Sequence, residues 1–365
     1  MTNLIVTLLS AQTIPNVQFI KYIRDNKCEN EQTEYLFIST DAMEEKGVGD
    51  WIRKVCEITN FETICVNHSD ISDIENRLAE CSFDKYEQIF VNITGGTKMM
   101  SLAVSDFFKM KPNARIYYID GKKCFLNFPV EHRISDDLVD NISLKEYVES
   151  YGFEMQEGHI SGISLDYTKQ FLQEFLNFGV NERRIINQLR QKRDKTVSIN
   201  EMTGLQDLLC KITFPLVDKN FLIVNKYEVR YLTGDWFEEY IYFRLQEEGI
   251  IKKEDLKTGV QLKKKGIDNE FDIIFLYKTK FYAIECKTSI LSDRGNIVNE
   301  TIYKSTALQR NLGLFSNFSI FTLSSRESKD VKQTHLDRAS DLNIKVLCRE
   351  DIINSESISK LLELC

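Results

Sequence analysis

A chain of 365 residues, 42% hydrophobic and 28% charged, has the composition of a soluble globular protein and the length of two domains. A net charge of −8 argues against a protein that coats DNA by its overall field. The longest apolar runs, Asn3 to Leu9 and Phe271 to Tyr277, fall far short of the roughly 18 residues a membrane span requires, so no membrane partner is expected. The nine cysteines are odd in number and scattered, with no C-x-x-C pair, which excludes a disulfide framework and a zinc ribbon. No basic stretch precedes the first apolar run, so the N-terminus does not read as a signal peptide and a cytoplasmic protein is expected.

From Asn3 to Asp120 short β-branched runs alternate with amphipathic stretches. LIVTLL leads to a helix from about Pro15, EYLFIS to one from about Glu44, and ETICVN to one from about Ile71; EQIFVNI, a helix over Lys98 to Lys109 and ARIYYID follow. Such a run of βα units predicts an α/β fold with a parallel, Rossmann-like sheet. Ligands of such sheets bind beyond the carboxyl ends of the strands, at the helix N-termini.

Two loops there are chemically unusual. Ser10-Ala11-Gln12-Thr13-Ile14-Pro15-Asn16 groups hydroxyls and amides around a proline suited to a first helical turn. Thr94-Gly95-Gly96-Thr97-Lys98 follows an apolar strand; its glycines let backbone N–H groups approach an anion, and Lys98 adds charge. Thr40 and Asp41 can add polar contacts. The glycine loop also fits a plain strand-to-helix turn with Thr97 as N-cap. Neither a Walker A loop nor a G-x-G-x-x-G fingerprint is present, which disfavours an NTPase and ranks a Rossmann oxidoreductase last.

The loops LLSAQTIPN and NITGGTKMM resemble those of the CARF domains of CRISPR-associated proteins, over roughly residues 1–145. The resemblance implies a sensor of cyclic oligoadenylate, with cyclic tetra-adenylate the expected ring. It further implies a homodimer in which both protomers present these loops to one two-fold ligand. Ser10, Ala11, Gln12, Thr13, Pro15, Asn16, Thr40, Asp41, Thr94, Gly95, Gly96, Thr97 and Lys98 are the expected contacts.

Residues 146–224 lose the strand signal and read as helical, with apolar positions three and four apart in Tyr167 to Phe178 and Arg183 to Lys192. Low Gly and Pro content argues against a floppy linker, so a structured connector and hinge is expected. The first 150 residues hold 16 Lys and Arg against 24 Asp and Glu, while the rest is balanced at 31 of each. A polyanion is therefore better placed on the C-terminal part. Its basic clusters, Arg183 to Lys195 and Lys263-Lys264-Lys265, read singly as solvated faces.

Asn269 to Thr288 reads as two apolar strands joined by a short polar turn. Glu285 and Lys287 share a face because strand side chains alternate, and Asp272 joins them if the turn has an even number of residues. Burying such charges costs several kcal/mol or so unless they are paired or bind a metal. Two carboxylates with a peptide carbonyl, that of Cys286, make an oxygen-rich site suited to Mg²⁺ or Mn²⁺. The bland alternative is a cross-strand salt bridge on a solvated sheet face.

Asp272 with Glu285-Cys286-Lys287 is similar to the PD-(D/E)XK nuclease motif, over about residues 225–345. The resemblance implies a restriction-endonuclease-like α/β domain, here 225–365, and a metal-dependent endonuclease acting on DNA or RNA. It also implies an acidic residue on a preceding helix, for which Glu238, after Phe237, is preferred to Glu239 and counted with the metal ligands. A polar group from the following helix is implied too, with Lys304 chosen ahead of Tyr303 and Gln309. A helical HEPN ribonuclease is disfavoured, because none of His68, His132, His159 and His335 follows an arginine at four to six residues. The remaining rival is a ligand-responsive, non-enzymatic regulator with a degenerate nuclease domain, which binds a nucleotide through the N-terminal domain and DNA through the middle helices.

Overall fold

The computed structural model describes residues 2–28, 32–119, 141–220, 222–288, 316–328 and 331–364, with short pieces at 125–128, 133–134, 291–292, 295–296, 302, 306 and 311–313. The first sheet comprises β1 (Thr2–Leu8), β2 (Gln32–Ser39), β3 (Phe61–Cys65), β4 (Ile89–Asn92), β5 (Ala114–Ile119), β6 (Phe125–Phe128) and β7 (Arg133–Ile134). Its order is β3-β2-β1-β4-β5-β6-β7, parallel through β5 and antiparallel beyond. β1 is buried on both faces, as its unbroken apolar run requires of a central strand. The chain leaves β1 toward β2 and later returns on its other side as β4, so the loops after β1 and β4 lie side by side at the point where strand order reverses. Strand order is what brings the two unusual loops together.

The second sheet contains β8 (Glu154–Gln156), β11 (Leu256–Lys264), β12 (Ile267–Tyr277), β13 (Lys280–Lys287), β16 (Ser316–Thr322) and β17 (Ile344–Leu347), in the order β17-β16-β13-β12-β11-β8. Two minor ribbons pair β9 (Val197–Ser198) with β10 (Ile223–Val224) and β14 (Leu291–Ser292) with β15 (Gly295–Asn296). β11, β12 and β13 form an antiparallel meander, and β16 returns parallel to β13.

Three apolar layers hold the stack together. The helices Ile71–Ala79 and Lys98–Lys109 cover one face of the first sheet through Ile74, Leu78, Val104 and Phe108. The helices Ile14–Lys27, Val48–Cys56 and Leu144–Ser150 fill the space between the sheets, where the Tyr147 ring stacks on Phe281 of β13 at 5.6 Å. The third layer covers the far face of the second sheet.

The segment 146–224, expected as a connector and hinge, supplies much of that third layer. β8 is an edge strand on β11, and Phe171 and Phe175 of the helix Leu165–Leu176 meet Trp236 at 5.1 and 5.0 Å. Their apolar faces are buried against the helix Trp236–Glu248 and the second sheet, so this segment shares the core of the C-terminal domain. Among the described residues no helix is long and apolar enough to cross a membrane.

Candidate active site and sensor loops

The hairpin of β12 and β13 turns through Lys278 and Thr279, both at positive φ (48° and 59°), which is the two-residue turn whose twist suits paired strands. The ladder ends with Ile273 opposite Ile284, and continuing that register sets Asp272 against Glu285. An even turn therefore puts Asp272, Glu285 and Lys287 on one face, as the sequence condition required.

At Asp272 the sheet opens. β11 pairs Thr258 with Ile273 and Val260 with Phe271, skipping Gly259 and Asp272, and Gly259 takes a φ of 62° there. The freed groups find other partners: Thr258 Oγ1 donates to the Asp272 carbonyl at 2.8 Å, and the Cys286 N–H donates to Asp272 Oδ2 at 2.6 Å. A side-chain acceptor in place of a ladder bond fixes the carboxylate at the strand's edge, where a backbone gap leaves room for it.

Lys287 Nζ stands 3.0 Å from Glu285 Oε2 and 3.4 Å from Asp272 Oδ2. Glu285 is almost fully buried and Asp272 nearly so, which is not the exposure of a solvated salt bridge. Burial works against the Lys287 ammonium, but the adjacent Asp272 and Glu285 charges outweigh it and raise its pKa above the ordinary lysine range. The Cys286 thiol is buried and pushed well up, so it is a packing group.

Glu238 belongs to the same electrostatic cluster. Burial first, and then the negative charges of Asp272 and Asp235, push its pKa well above the carboxyl range, while Lys287 and Arg193 pull it down. Glu239, the candidate set aside, points elsewhere: it accepts from Ser161 N at 2.7 Å and Ser161 Oγ at 2.6 Å and pins a loop. One helical turn thus offers one acid to the hairpin and one to the scaffold. Lys304, Tyr303 and Gln309 lie outside the described residues.

Among the described residues no three His, Cys, Asp or Glu side chains converge tightly enough to hold a metal ion, and Lys287 is the cation at the carboxylates. The donor chemistry nevertheless fits a hard divalent ion. Glu238, Asp272 and Glu285 crowd negative charge into a largely buried site, where burial first and the neighbouring carboxylates second raise the Glu238 pKa.

Sequence reasoning missed the arginines. Arg190 Nη2 donates to Thr288 Oγ1 at 2.8 Å, next to Lys287, and its Nε donates to the Thr233 carbonyl at 3.2 Å. Arg193 pairs with Asp235. Both come from the basic cluster Arg183 to Lys195, whose helix Val180–Arg190 packs against Tyr231–Asp235, the turn that leads into the Glu238 helix. The other cluster stays structural: Lys264 Nζ lies 4.5 Å over the Trp51 ring and donates to the Tyr151 carbonyl at 2.8 Å.

In the first domain the loops after β1 and β4 touch. A Cβ on Gly95 would stand 2.1 Å from the Leu8 carbonyl oxygen, and Gly96 sits at a φ of 71°. Thr97 caps the helix Lys98–Lys109 by accepting from Met100 N, and its hydroxyl donates to the His68 carbonyl at 2.8 Å. Thr94 Oγ1 accepts from Ile119 N at 2.8 Å.

Of the expected contacts, Thr13 and Asn16 are buried. Thr13 Oγ1 is 2.9 Å from Ser150 Oγ, and Asn16 Nδ2 donates to Thr7 Oγ1 and to the Leu8 carbonyl, both at 2.7 Å. They lock the loop from beneath. Ala11, Asp41, Thr97 and Lys98 are exposed, Ser10, Gln12, Pro15, Thr94 and Gly96 half-buried, and Thr40 and Gly95 buried.

A Rossmann-like sheet with paired polar loops at its switch point, joined to a mixed sheet carrying an acid-acid-lysine hairpin, defines a sensor domain coupled to a nuclease-type domain. Residues 4–147 match the Card1 CARF domain family, and residues 225–360 match the Card1-like endonuclease domain family. The chain belongs to the CARF-domain nucleases, with a Card1-type CARF domain ahead of a Card1-like endonuclease domain. No curated protein matches it.

Two solved structures share the fold over nearly the whole length. Can2 from Sulfobacillus thermosulfidooxidans, in complex with cyclic tetra-adenylate, is 23% identical with a TM-score of 0.73, covering 99% of this chain and 98% of its own. Protein VC1899 from Vibrio cholerae is 17% identical with a TM-score of 0.74, covering 96% and 95%.

Proposed function

We propose that this protein is an endonuclease of type III CRISPR antiviral defence, activated by cyclic oligoadenylate, in particular cyclic tetra-adenylate, and dependent on Mg²⁺ or Mn²⁺. Its substrates are single-stranded DNA or RNA, or one strand of a duplex. The observation that carries this reading is the hairpin itself: Asp272, Glu285 and Lys287 meet within 3.4 Å on one face, at a point where the sheet is opened for Asp272. A merely structural ion pair does not require that opening.

Asp272, Glu285, the Cys286 carbonyl and Glu238 are the groups that would hold the cation. When bound, it supplies Lewis acidity to a water and to the scissile phosphate. The chain's own residues supply the rest. Lys287, kept charged by its carboxylate neighbours, is placed to attract a phosphate oxygen. Glu238, whose proton affinity is raised by burial and by the Asp272 and Asp235 charges, would be held as a carboxylate by a cation bound beside it.

Activation by a cyclic tetra-adenylate is supported by the adjacency of the loops after β1 and β4, and by the shared fold of Can2, which holds that ligand. A two-fold ligand implies a homodimer. Met99 and Leu102, 37% and 64% exposed on the helix that opens at the glycine loop, offer apolar surface beside the ligand site for a second protomer.

The test is cleavage of single- and double-stranded DNA and RNA with Mn²⁺ or Mg²⁺, with and without cyclic tetra- or hexa-adenylate. Activator-dependent cleavage that EDTA abolishes is expected. No cleavage under any combination, or activity that survives chelation, overturns the reading.

A further inference from the structure

A cavity of about 240 Å³ adjoins Glu238 and is walled by His159, Tyr227, Arg193, Arg230 and Asp235. Its walls are held firmly. The loop carrying His159 is pinned by Glu239 through Ser161, and Gly158 packs so closely on the opened part of β11 that a Cβ there would stand 2.2 Å from the Gly259 carbonyl oxygen. On the other side, Asn225 and Glu228 form a capping box that fixes the short helix bearing Tyr227, and Glu228 also accepts from Val217 N at 2.7 Å. The buried acid Glu239 and a backbone contact that tolerates only glycine are thus spent on positioning two rings.

Those rings, His159 and Tyr227, lie 4.3 Å apart at 44° and are both solvent-exposed. Beside them Arg193 and Arg230 share one carboxylate, Asp235, with Arg230 Nε 3.2 Å from Asp235 Oδ2. Both guanidiniums border the cavity, whose wall also carries Glu157, Glu238, Glu239 and Glu270, so they are its two cationic groups among acids. Exposed aromatic faces next to cations are the means by which single nucleic-acid strands are bound, because every base has a π-face and every nucleotide a phosphate. The cavity is smaller than the roughly 300–1,000 Å³ that takes a drug-sized ligand, and its size suits one ring system.

We propose that this cavity is a nucleobase subsite, in which one base of the substrate strand, next to the phosphate to be cut, stacks on Tyr227 and His159 while Arg193 and Arg230 hold its backbone. The inference rests on the nuclease reading and names the group by which that site holds its strand. A base seated here has left its stack, so the strand is unpaired at that nucleotide. A duplex is cut only where it has opened.

The test uses the full-length protein with Mn²⁺ and cyclic tetra-adenylate, and a single-stranded oligonucleotide in which one abasic position is walked through the sequence. Wild type is expected to lose cleavage at a phosphate a fixed distance from the abasic position. Tyr227→Ala raises KM on the intact strand about ten-fold with little change in kcat, and removes the effect of the abasic position. Tyr227→Phe, which keeps the ring, retains both. His159→Ala, an exposed change, is the second variant and moves in the same direction, and melting temperatures check that each variant is folded. Wild-type cleavage indifferent to the abasic position, or an unchanged KM in folded Tyr227→Ala and His159→Ala, overturns the subsite and leaves the nuclease reading standing. A wild type that cuts nothing overturns both.

Discussion

Tyr151 Oη donates to Gln12 Oε1 at 3.4 Å, joining the loop after β1 to the chain as it enters the second domain. The same hydroxyl lies against Gly313, where a Cβ would stand 2.1 Å away, three residues before β16, the strand that pairs with β13. A parallel contact runs from Gln18 Nε2 to Thr279 Oγ1, 3.4 Å apart, in the turn of the β12–β13 hairpin. The sensor loop and its helix therefore touch the nuclease sheet at two places. Tyr151→Phe removes one hydroxyl and keeps the packing. It is expected to lower the activator-stimulated rate about two- to ten-fold while leaving the unstimulated rate and the melting temperature nearly unchanged. Activator titrations of cleavage check this, and an unchanged ratio of stimulated to unstimulated rate refutes the coupling.

Asp272→Asn, Glu285→Gln and Lys287→Ala each remove a charge from the hairpin cluster. Asparagine at 272 can still accept from the Cys286 N–H, so the local backbone is kept while the anion is lost. Each variant is expected to lose about 100-fold or more in cleavage rate, with circular dichroism unchanged. Undiminished cleavage by Glu285→Gln would place the chemistry outside this hairpin.

The Glu238 site predicts a pH-dependent stability. Burial and the charges of Asp272 and Asp235 raise its pKa, so the folded chain binds that proton more tightly than the unfolded chain. Stability is then lost as pH rises from the ordinary carboxyl range through the raised value, and the loss is complete above it. Glu238→Gln carries no such penalty. It is expected to melt a few degrees higher than wild type at about pH 8, with the gap closing near pH 4. Millimolar Mn²⁺ should raise the wild-type melting temperature more than that of the variant. A variant no more stable than wild type at about pH 8 would contradict the crowding of charge.

Gly95→Ala tests the contact between the two sensor loops. The added carbon meets the Leu8 carbonyl, so backbone must move, at a cost of about 1–3 kcal/mol, and the loop after β1 is displaced. Thr97→Ala removes the cap of the neighbouring helix for about 1 kcal/mol without pushing the loops apart. Isothermal titration with cyclic tetra-adenylate should show a larger loss of affinity for Gly95→Ala than for Thr97→Ala. Equal losses would mean that loop contact does not shape the ligand site.

The sequence by itself determined the elements and the chemical inventory. Period-two and period-3.6 patterns located the five parallel strands and their helices, because those periods follow from backbone geometry and need no partner. E-x-K in a strand put Glu285 and Lys287 on one face for the same reason. The parity rule tied Asp272 to them through a turn that proved to have two residues.

Tertiary structure decided everything that depends on which surfaces meet. Strand order set the loops after β1 and β4 side by side, and buried Thr13 and Asn16 beneath them. Packing of Phe171 and Phe175 on Trp236 made the middle segment part of the second core and carried Arg190 to the end of the hairpin and Arg193 to Asp235. It also separated Glu238 from Glu239, adjacent in sequence but rotated apart on the helix, one toward the hairpin and the other onto Ser161. A charge has no assigned partner until the fold supplies one, and it is burial beside that partner that shifts its pKa.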